Sequence, residues 1–547
     1  MVATFLSQWS LVSRPSIDKW SLVTILLCCF LLGPVAALLL AASGDSGGLW
    51  EHLVDTVLAT YVINTLLLMG GVGGVAIVFG ISSAWVISRY DFAGRGVFEW
   101  MLLLPAAIPA YIIAYCYTDF FEYAGPVQSA LRATFGWQTP RDYYFPEIRS
   151  LGGAVLVMAS VLYPYIYMVT RIAFRLTPAS LFEIALVHNK SQFWYVGLPL
   201  ARPAIVAGLA LVMMEVVSDF GTVEYFTVQT ITLGIFNVWL GMNNLVAAAQ
   251  ISLIGFLFIL GLLGLELYAR SRQQYVSTSR TQNSLAPLPT TRLGTFICWL
   301  LCLIPISFGF FIPLGVLLQF VSRGDVIAEF LAIQPVVANS VTVALAAAVF
   351  IMLVASLIVL TAAFRGGSKL RKLALISSTG YAFPGTILAF GILIYAGYID
   401  DLLRFISGGV ISSFLIAGLG LLMLAYLVRF QAVGYGAILS GVRRLPENLM
   451  SASRVLGHGY GASLRQIILP LLKSSFIAGL MLVFVDIMKE LPMTLLLRPF
   501  DFETLATYTY QFAKDEMLEK AALPSLMIVI TGLIPVIFMS TMLRRYR

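Results

Sequence analysis

Charge is scarce in this chain: only 11% of its 547 residues are Asp, Glu, Lys or Arg. Apolar runs repeatedly exceed about 18 residues, which excludes a soluble multidomain protein. The three histidines, His52, His188 and His458, lie too far apart in sequence to form a ligand pattern. The five cysteines at 28, 29, 116, 298 and 302 never occur as C-x-x-C. Neither a disulfide framework nor a zinc site is indicated, and no permanently bound cofactor is expected. None of the eight lysines follows a glycine. The phosphate-cradling loop G-x-x-x-x-G-K-[ST] is therefore missing, and the chain cannot be its own P-loop motor. A membrane barrel is excluded as well, since stretches such as GGVGGVAIVFGISSAWVI are apolar on every face instead of alternating.

What remains is an all-α membrane protein with a mean hydropathy of +0.91. Candidate spans are roughly 20–42, 57–88, 97–118, 151–170, 200–218, 245–268, 294–320, 336–363, 373–398, 409–428, 471–490 and 521–542. That makes about twelve transmembrane helices. The first run, LVTILLCCFLLGPVAALLLAA, is longer than the roughly 7–15 residue core of a secretory signal and is expected to stay as an anchor. Sorting charges by loop puts 25 of the 34 lysines and arginines on the side of the N-terminus. The net charge of +7 thus reads as positive-inside topology with both termini cytoplasmic, and no nucleic-acid partner is indicated.

The chain repeats itself. Asn64 in YVINTLLLM aligns with Asn339 in VVANSVTVA, Pro109 with Pro384, and Leu198-Pro199 with Leu469-Pro470. An even number of spans returns the chain to the same side, so two halves of six spans run parallel. The halves are expected at 1–270 and 293–547, joined by a polar cytoplasmic linker at 271–292, SRQQYVSTSRTQNSLAPLPTTR.

Between the spans, two polar segments stand out: PASLFEIALVHNKSQFWYVGLPLARP at 178–203 and SASRVLGHGYGASLRQIILP at 451–470. Apolar residues recur in both every three to four positions, as in helices lying at a membrane surface. Gly457 and Gly459 can break the second segment into two helices, with Pro470 in the first turn of the next span. By spacing alone, these are interfacial amphipathic loops.

The second segment resembles the loop of binding-protein-dependent ABC importer permeases, in which Glu-Ala-Ala, a Gly, and a Leu-Pro ending thirteen residues after that Gly form the helix that docks on an ATPase. Gly457 and Pro470 have that spacing, with Ser451, Ala452 and Ser453 in the Glu-Ala-Ala positions. The first copy keeps Glu183, Ile184 and Ala185, has Asn189 in place of the Gly, and reaches Pro199 three residues early. The stretches EVVSDFGTVEYF and KELPMTLLLRPFDFETLAT are similar to those of fused ferric iron importer permeases. The resemblance implies a type I ABC importer permease fold, with transmembrane type-1 domains at about 58–268 and 334–543, in a bacterial inner membrane. It implies that Glu183, Ala185, Asn189, Leu198, Pro199, Ala452, Gly457, Leu469 and Pro470 couple to two copies of a cytoplasmic ATPase that uses the ATP. It also implies that a periplasmic binding protein delivers the cargo.

Ionisable groups at membrane depth are costly and usually face a cavity or a partner. Glu215 and Asp219 sit one turn apart in the fifth span, and Asp486 and Glu490 repeat them in the eleventh. Oxygen ligands suit hard trivalent iron, so these four acids are candidate pathway groups, with Glu215 and Asp486 as transient metal contacts. Pairing with Lys489 or with helix ends, or simple placement among the outer headgroups, is the structural alternative. Gly70 and Gly74, spaced G-x-x-x-G, are expected to pack helices closely. A thiamine importer permease is the alternative within the class. A secondary transporter driven by protons through Glu215 or Asp486 is the alternative outside it. A purely structural scaffold gives no reason for paired acids in both halves.

Overall fold

A computed structural model describes residues 18–271, 287–324, 326–380, 383–409, 415, 418–446 and 448–545. Most of the expected linker, 272–286, lies outside them. The principal helices are α1 (Lys19–Ala42), α2 (Leu58–Arg89), α3 (Ala110–Phe121), α4 (Leu151–Leu176), α5 (Ala179–Val187), α6 (Leu198–Ser218), α7 (Gly221–Tyr225), α8 (Leu245–Ser271) and α9 (Arg292–Ile306). They continue as α10 (Ile312–Arg323), α11 (Val326–Phe364), α12 (Gly385–Ile406), α13 (Leu419–Val442), α14 (Leu449–Val455), α15 (Lys473–Met488), α16 (Pro492–Leu497), α17 (Leu505–Lys514) and α18 (Leu518–Arg545). Among the described residues, ten helices are long and apolar enough to cross a membrane, or up to twelve if two bent pairs each count as one span.

Proline accounts for one of those bends. Pro109 holds an extended backbone (φ −59°, ψ 143°) and has no N–H to donate, so the expected span at 97–118 is broken. Its two parts, Arg95–Ala107 and Ala110–Phe135, meet at 93°. Pro384 stands at the same point before α12 (φ −51°, ψ 138°), as the repeat requires. The tenth span also differs from its expected place at 409–428, because α13 runs from Leu419 to Val442. Arg429, counted from the sequence among the cytoplasmic charges, therefore lies inside a span and is buried.

Two compact units emerge, and neither coincides with a contiguous half. One gathers residues 47–243, 254–333 and 508–545, so that α9, α10 and α18 lie with the first-half core. In it α2 packs along α4, α6 against both, and α18 against α10. Close approach is set by Gly71, where a Cβ would come 2.6 Å from Val155, and by Gly80, where it would come 2.8 Å from Ile166. Gly70 and Gly74 face open space instead. The expectation for them fails because the helical phase turns the other glycines of GGVGG toward α4 and α6. The other unit gathers α1, residues 244–253 and 334–507. There α13 packs on α15, while α12 packs against α1, α13 and α16.

Candidate functional site

Each unit carries one exposed arm. In the first arm α5 ends in a left-handed residue, Asn189 (φ 53°). Its N–H donates to the Leu186 carbonyl (2.9 Å), and the Lys190 N–H donates to that of Ala185 (2.8 Å). In the second arm α14 ends on Gly457 (φ 85°). Gly457 N–H donates to Arg454 (3.0 Å) and His458 N–H to Ser453 (3.1 Å). Both are Schellman closures, in which the left-handed residue lets two amides satisfy carbonyls that the helix end would leave orphaned. Asn tolerates that conformation better than most residues, so Asn189 fills the place of the expected glycine.

A π-helical turn follows in both arms, Phe193–Gly197 and Leu464–Ile468, at the same distance before Leu-Pro. Leu198 and Leu469 donate five residues back, to Phe193 and Leu464. Proline cannot donate next, and the wider turn absorbs the interrupted ladder. The three residues that the first arm lacks are thus located. Between the left-handed residue and the π turn it has only Lys190, Ser191 and Gln192, whereas the second arm inserts a helical turn, Tyr460–Ser463.

Pro470 differs from its expected place. The helix carrying it runs from Tyr460 to Leu471 and meets Lys473–Met488 at 71°, so it closes the arm and does not open the span. In the first arm the helix continues unbroken from Phe193 to Ser218 through Leu198 and Pro199. Glu183, Asn189, Ala452, Gly457, Leu469 and Pro470 are exposed, Leu198 and Pro199 are half-buried, and Ala185 is buried. The exposed tips are apolar: Val187 is 84% exposed and Val455 87%.

Different side chains hold the two arms. Gln192 donates to the Phe182 carbonyl (2.9 Å) and accepts from Arg89 (2.8 Å), while Trp85 packs edge-on to Phe174 and Phe193. In the second arm Ser463 and Ser453 share a hydrogen bond of 2.7 Å. Tyr460 lies under the Arg365 guanidinium and against Trp20.

The four acids divide between the units. Asp219 lies just past α6 and accepts from the Thr222 N–H (2.8 Å) and hydroxyl (3.0 Å), at the start of α7. Glu490 lies just past α15 and accepts from the Met493 N–H (2.9 Å) at the start of α16. These carboxylates occupy repeat-equivalent positions and cap equivalent short helices, satisfying amides that a helix start leaves open. Glu490 also pairs with buried Arg429 at 3.5 Å, a partner the sequence reading did not name. A Cβ at Gly385 would collide with that guanidinium, which explains a glycine directly after Pro384. Glu215 and Asp486 are half-buried on α6 and α15. Among the described residues no three His, Cys, Asp or Glu side chains are grouped closely enough to hold a metal ion.

The repeated asparagines act as pins. Asn64 donates to the Gln229 carbonyl (3.0 Å), and next to it Thr65 accepts from the Ile231 N–H (3.0 Å). Asn339 donates to the Glu503 carbonyl (3.5 Å), and Ser340 accepts from the Leu505 N–H (2.6 Å). Between α3 and α4 the first half carries an excursion that lines an open cleft of about 470 Å³, with Tyr123, Gln128, Tyr143, Phe145 and Arg149 among its walls.

A multi-pass scaffold built twice to one plan, with an exposed arm in each unit, is that of a two-half membrane permease. The chain belongs to the family of binding-protein-dependent transport system inner membrane components, whose model matches residues 76–274 and again 355–547. Two such repeats with ten to twelve candidate spans make this a type I permease fold. The chain is 25% identical to an Fe(3+)-transport system permease protein of Haemophilus influenzae over 89% of its own length and 90% of that protein's. It is 27% identical to a probable molybdenum ABC transporter permease protein of Haloferax volcanii, over 44% of this chain and 88% of the relative. It is also 27% identical to a probable sulfate transport system permease protein of Chlorokybus atmophyticus, over 37% and 70%.

Proposed function

We propose that this protein is the permease of an ATP-driven importer of ferric iron, with both termini in the cytoplasm. It receives cargo from a periplasmic binding protein and is driven by two copies of a separate ATPase, one docking on each arm. The observation that carries the cargo is the span of similarity: the Fe(3+) relative aligns across both halves, whereas the molybdenum and sulfate relatives cover less than half of the chain. The exposed tips at Val187 and Val455 support the docking role, because an apolar helix end in water is a surface awaiting a partner. For the pathway, Glu215 and Asp486 keep the role of transient oxygen contacts, while Asp219 and Glu490 hold the helix breaks beyond them. Iron is cargo here and not a resident metal.

The test is uptake of radiolabelled ferric iron by vesicles containing permease, ATPase and binding protein, with molybdate, sulfate and thiamine offered in parallel. Iron-specific uptake that stops without ATP is expected. Uptake of molybdate or sulfate in place of iron would transfer the assignment to the oxyanion importers, whose permeases match less than half of this chain.

A further inference from the structure

We propose that helix α1 positions the second docking arm through four side chains, Asp18, Trp20, Arg365 and Tyr460, a tie that has no counterpart in the first arm among the described contacts. The inference rests on the reading of the arms as ATPase docking sites. All four residues belong to one compact unit.

Asp18 caps α1 by accepting from the Ser21 N–H at 3.0 Å, and its other carboxylate oxygen pairs with Arg365. Arg365 follows the last residue of α11, and its guanidinium lies 4.5 Å from the ring centre of Tyr460. Trp20, in the first turn of α1, meets the same ring edge-on at 5.5 Å. Tyr460 is buried beneath them. A ring clamped between a cation and an aromatic edge has a fixed position, and the cation is itself fixed by the capping carboxylate.

Tyr460 opens the helical turn that the first arm lacks. The comparison with the other unit isolates what that turn adds. There the corresponding entry helix, α9, is capped by Thr291, which accepts from the Gly294 N–H at 3.1 Å. This helix and the residue before its cap also dock on the turn after α2: Thr290 donates to the Asp91 carbonyl (3.2 Å) and Trp299 to that of Ala93 (2.8 Å). Both units therefore seat a helix from the other sequence half at the same turn, but among the described residues an aromatic ring carries that seat into the arm in the second alone. The first arm is held by Trp85 and Arg89 of α2, within its own half.

The experiment uses the assembled transporter in proteoliposomes, with a photo-reactive amino acid at Val455 or Val187 to report contact between each arm and the ATPase. Tyr460→Ala and Trp20→Ala are each expected to lower iron carried per ATP hydrolysed by about fivefold, the ratio expected when a partly desolvated cation–π or ring contact is lost. Cross-linking through Val455 should fall with it while that through Val187 stays level. Tyr460→Phe keeps the ring and should behave as the unaltered protein. Arg365→Lys keeps a cation beside both the ring and the carboxylate, so it should lose less than Arg365→Ala. Unchanged iron per ATP in both alanine variants, or equal loss of cross-linking at the two arms, overturns the positioning role, since a generally loosened protein would lose both contacts. Failure of both positions to cross-link in the unaltered transporter would instead remove the docking reading, and this inference with it.

Discussion

The two arms share a closure and differ in everything that fastens it. Asn189 and Gly457 end their helices with the same pair of hydrogen bonds, and a π turn leads each arm to Leu-Pro. Yet one arm runs straight into its span and is held from within its own half, while the other bends by 71° and is clamped from α1. The same contrast recurs deeper in the bundle, where Asp219 is a cap alone and Glu490 is a cap and half of a buried ion pair. Duplication fixed the backbone plan, and each half then found its own side chains to hold it.

The ion pair offers the largest way to break that comparison. Arg429→Met would leave Glu490 buried without its cation, which costs on the order of 3–5 kcal/mol, whereas a lost cap costs about 1. Thermal inactivation in detergent should show a large loss for Arg429→Met and a small one for Asp219→Asn. Combining Arg429→Met with Glu490→Gln should recover most of the stability. An Arg429→Met protein as durable as the original would mean that the pair compensates nothing.

The arms come next in size. A β-branched side chain at a left-handed position costs about 1–2 kcal/mol, so Gly457→Val should uncouple uptake from ATP hydrolysis while the protein still inserts. Gly457→Asn should be tolerated, because the first arm already closes on asparagine. Asn189→Gly should be neutral for the same reason. Glu183→Lys alters an exposed charge without touching the closure, so its effect on uptake should be smaller than that of Gly457→Val. Equal damage from Gly457→Asn and Gly457→Val would show that glycine is needed for room against the ATPase and not for its backbone.

Much of this was legible in the sequence. Apolar runs gave the helices, the repeat of Asn64 and Pro109 gave the halves, and the spacing around Gly457 gave the arm. What stayed hidden depends on tertiary neighbours. Arg429 reads as a span end until α13 is seen to begin at Leu419, and its partner Glu490 lies 61 residues further on (490 − 429). Tyr460 resembles any aromatic of an amphipathic loop, because nothing local tells that α1 from the far end of the chain will cover it. One signal was available and unused: Thr65 and Ser340, hydroxyls directly after the repeated asparagines, repeat as faithfully as the asparagines do.

Transport supplies a third comparison. If Glu215 and Asp486 share the pathway, Glu215→Gln and Asp486→Asn together should slow iron uptake more than either alone, with ATPase activity recorded in parallel. Stability should change little, since amides conserve the shape and carry no buried charge. Uptake at the normal rate in the double variant would remove both acids from the pathway. Failure to insert would instead favour a structural role.

The smallest expected effect separates the two pins. Asn64 donates at 3.0 Å, near the usual optimum, and Asn339 at 3.5 Å, where a hydrogen bond has weakened. Asn64→Ala should therefore cost about 1 kcal/mol of stability and Asn339→Ala less. The neighbouring hydroxyls reverse the order: Ser340 accepts at 2.6 Å and Thr65 at 3.0 Å, so Ser340→Ala should be the more damaging of that pair. Each amide left without its hydroxyl is buried, and a buried unpaired donor carries its full desolvation cost. Measured by inactivation temperature in one detergent, the four variants should rank with the asparagine stronger in the first half and the hydroxyl stronger in the second. An identical ranking in both halves would mean that the pins are equivalent and that the halves diverge only at their charged groups and arms.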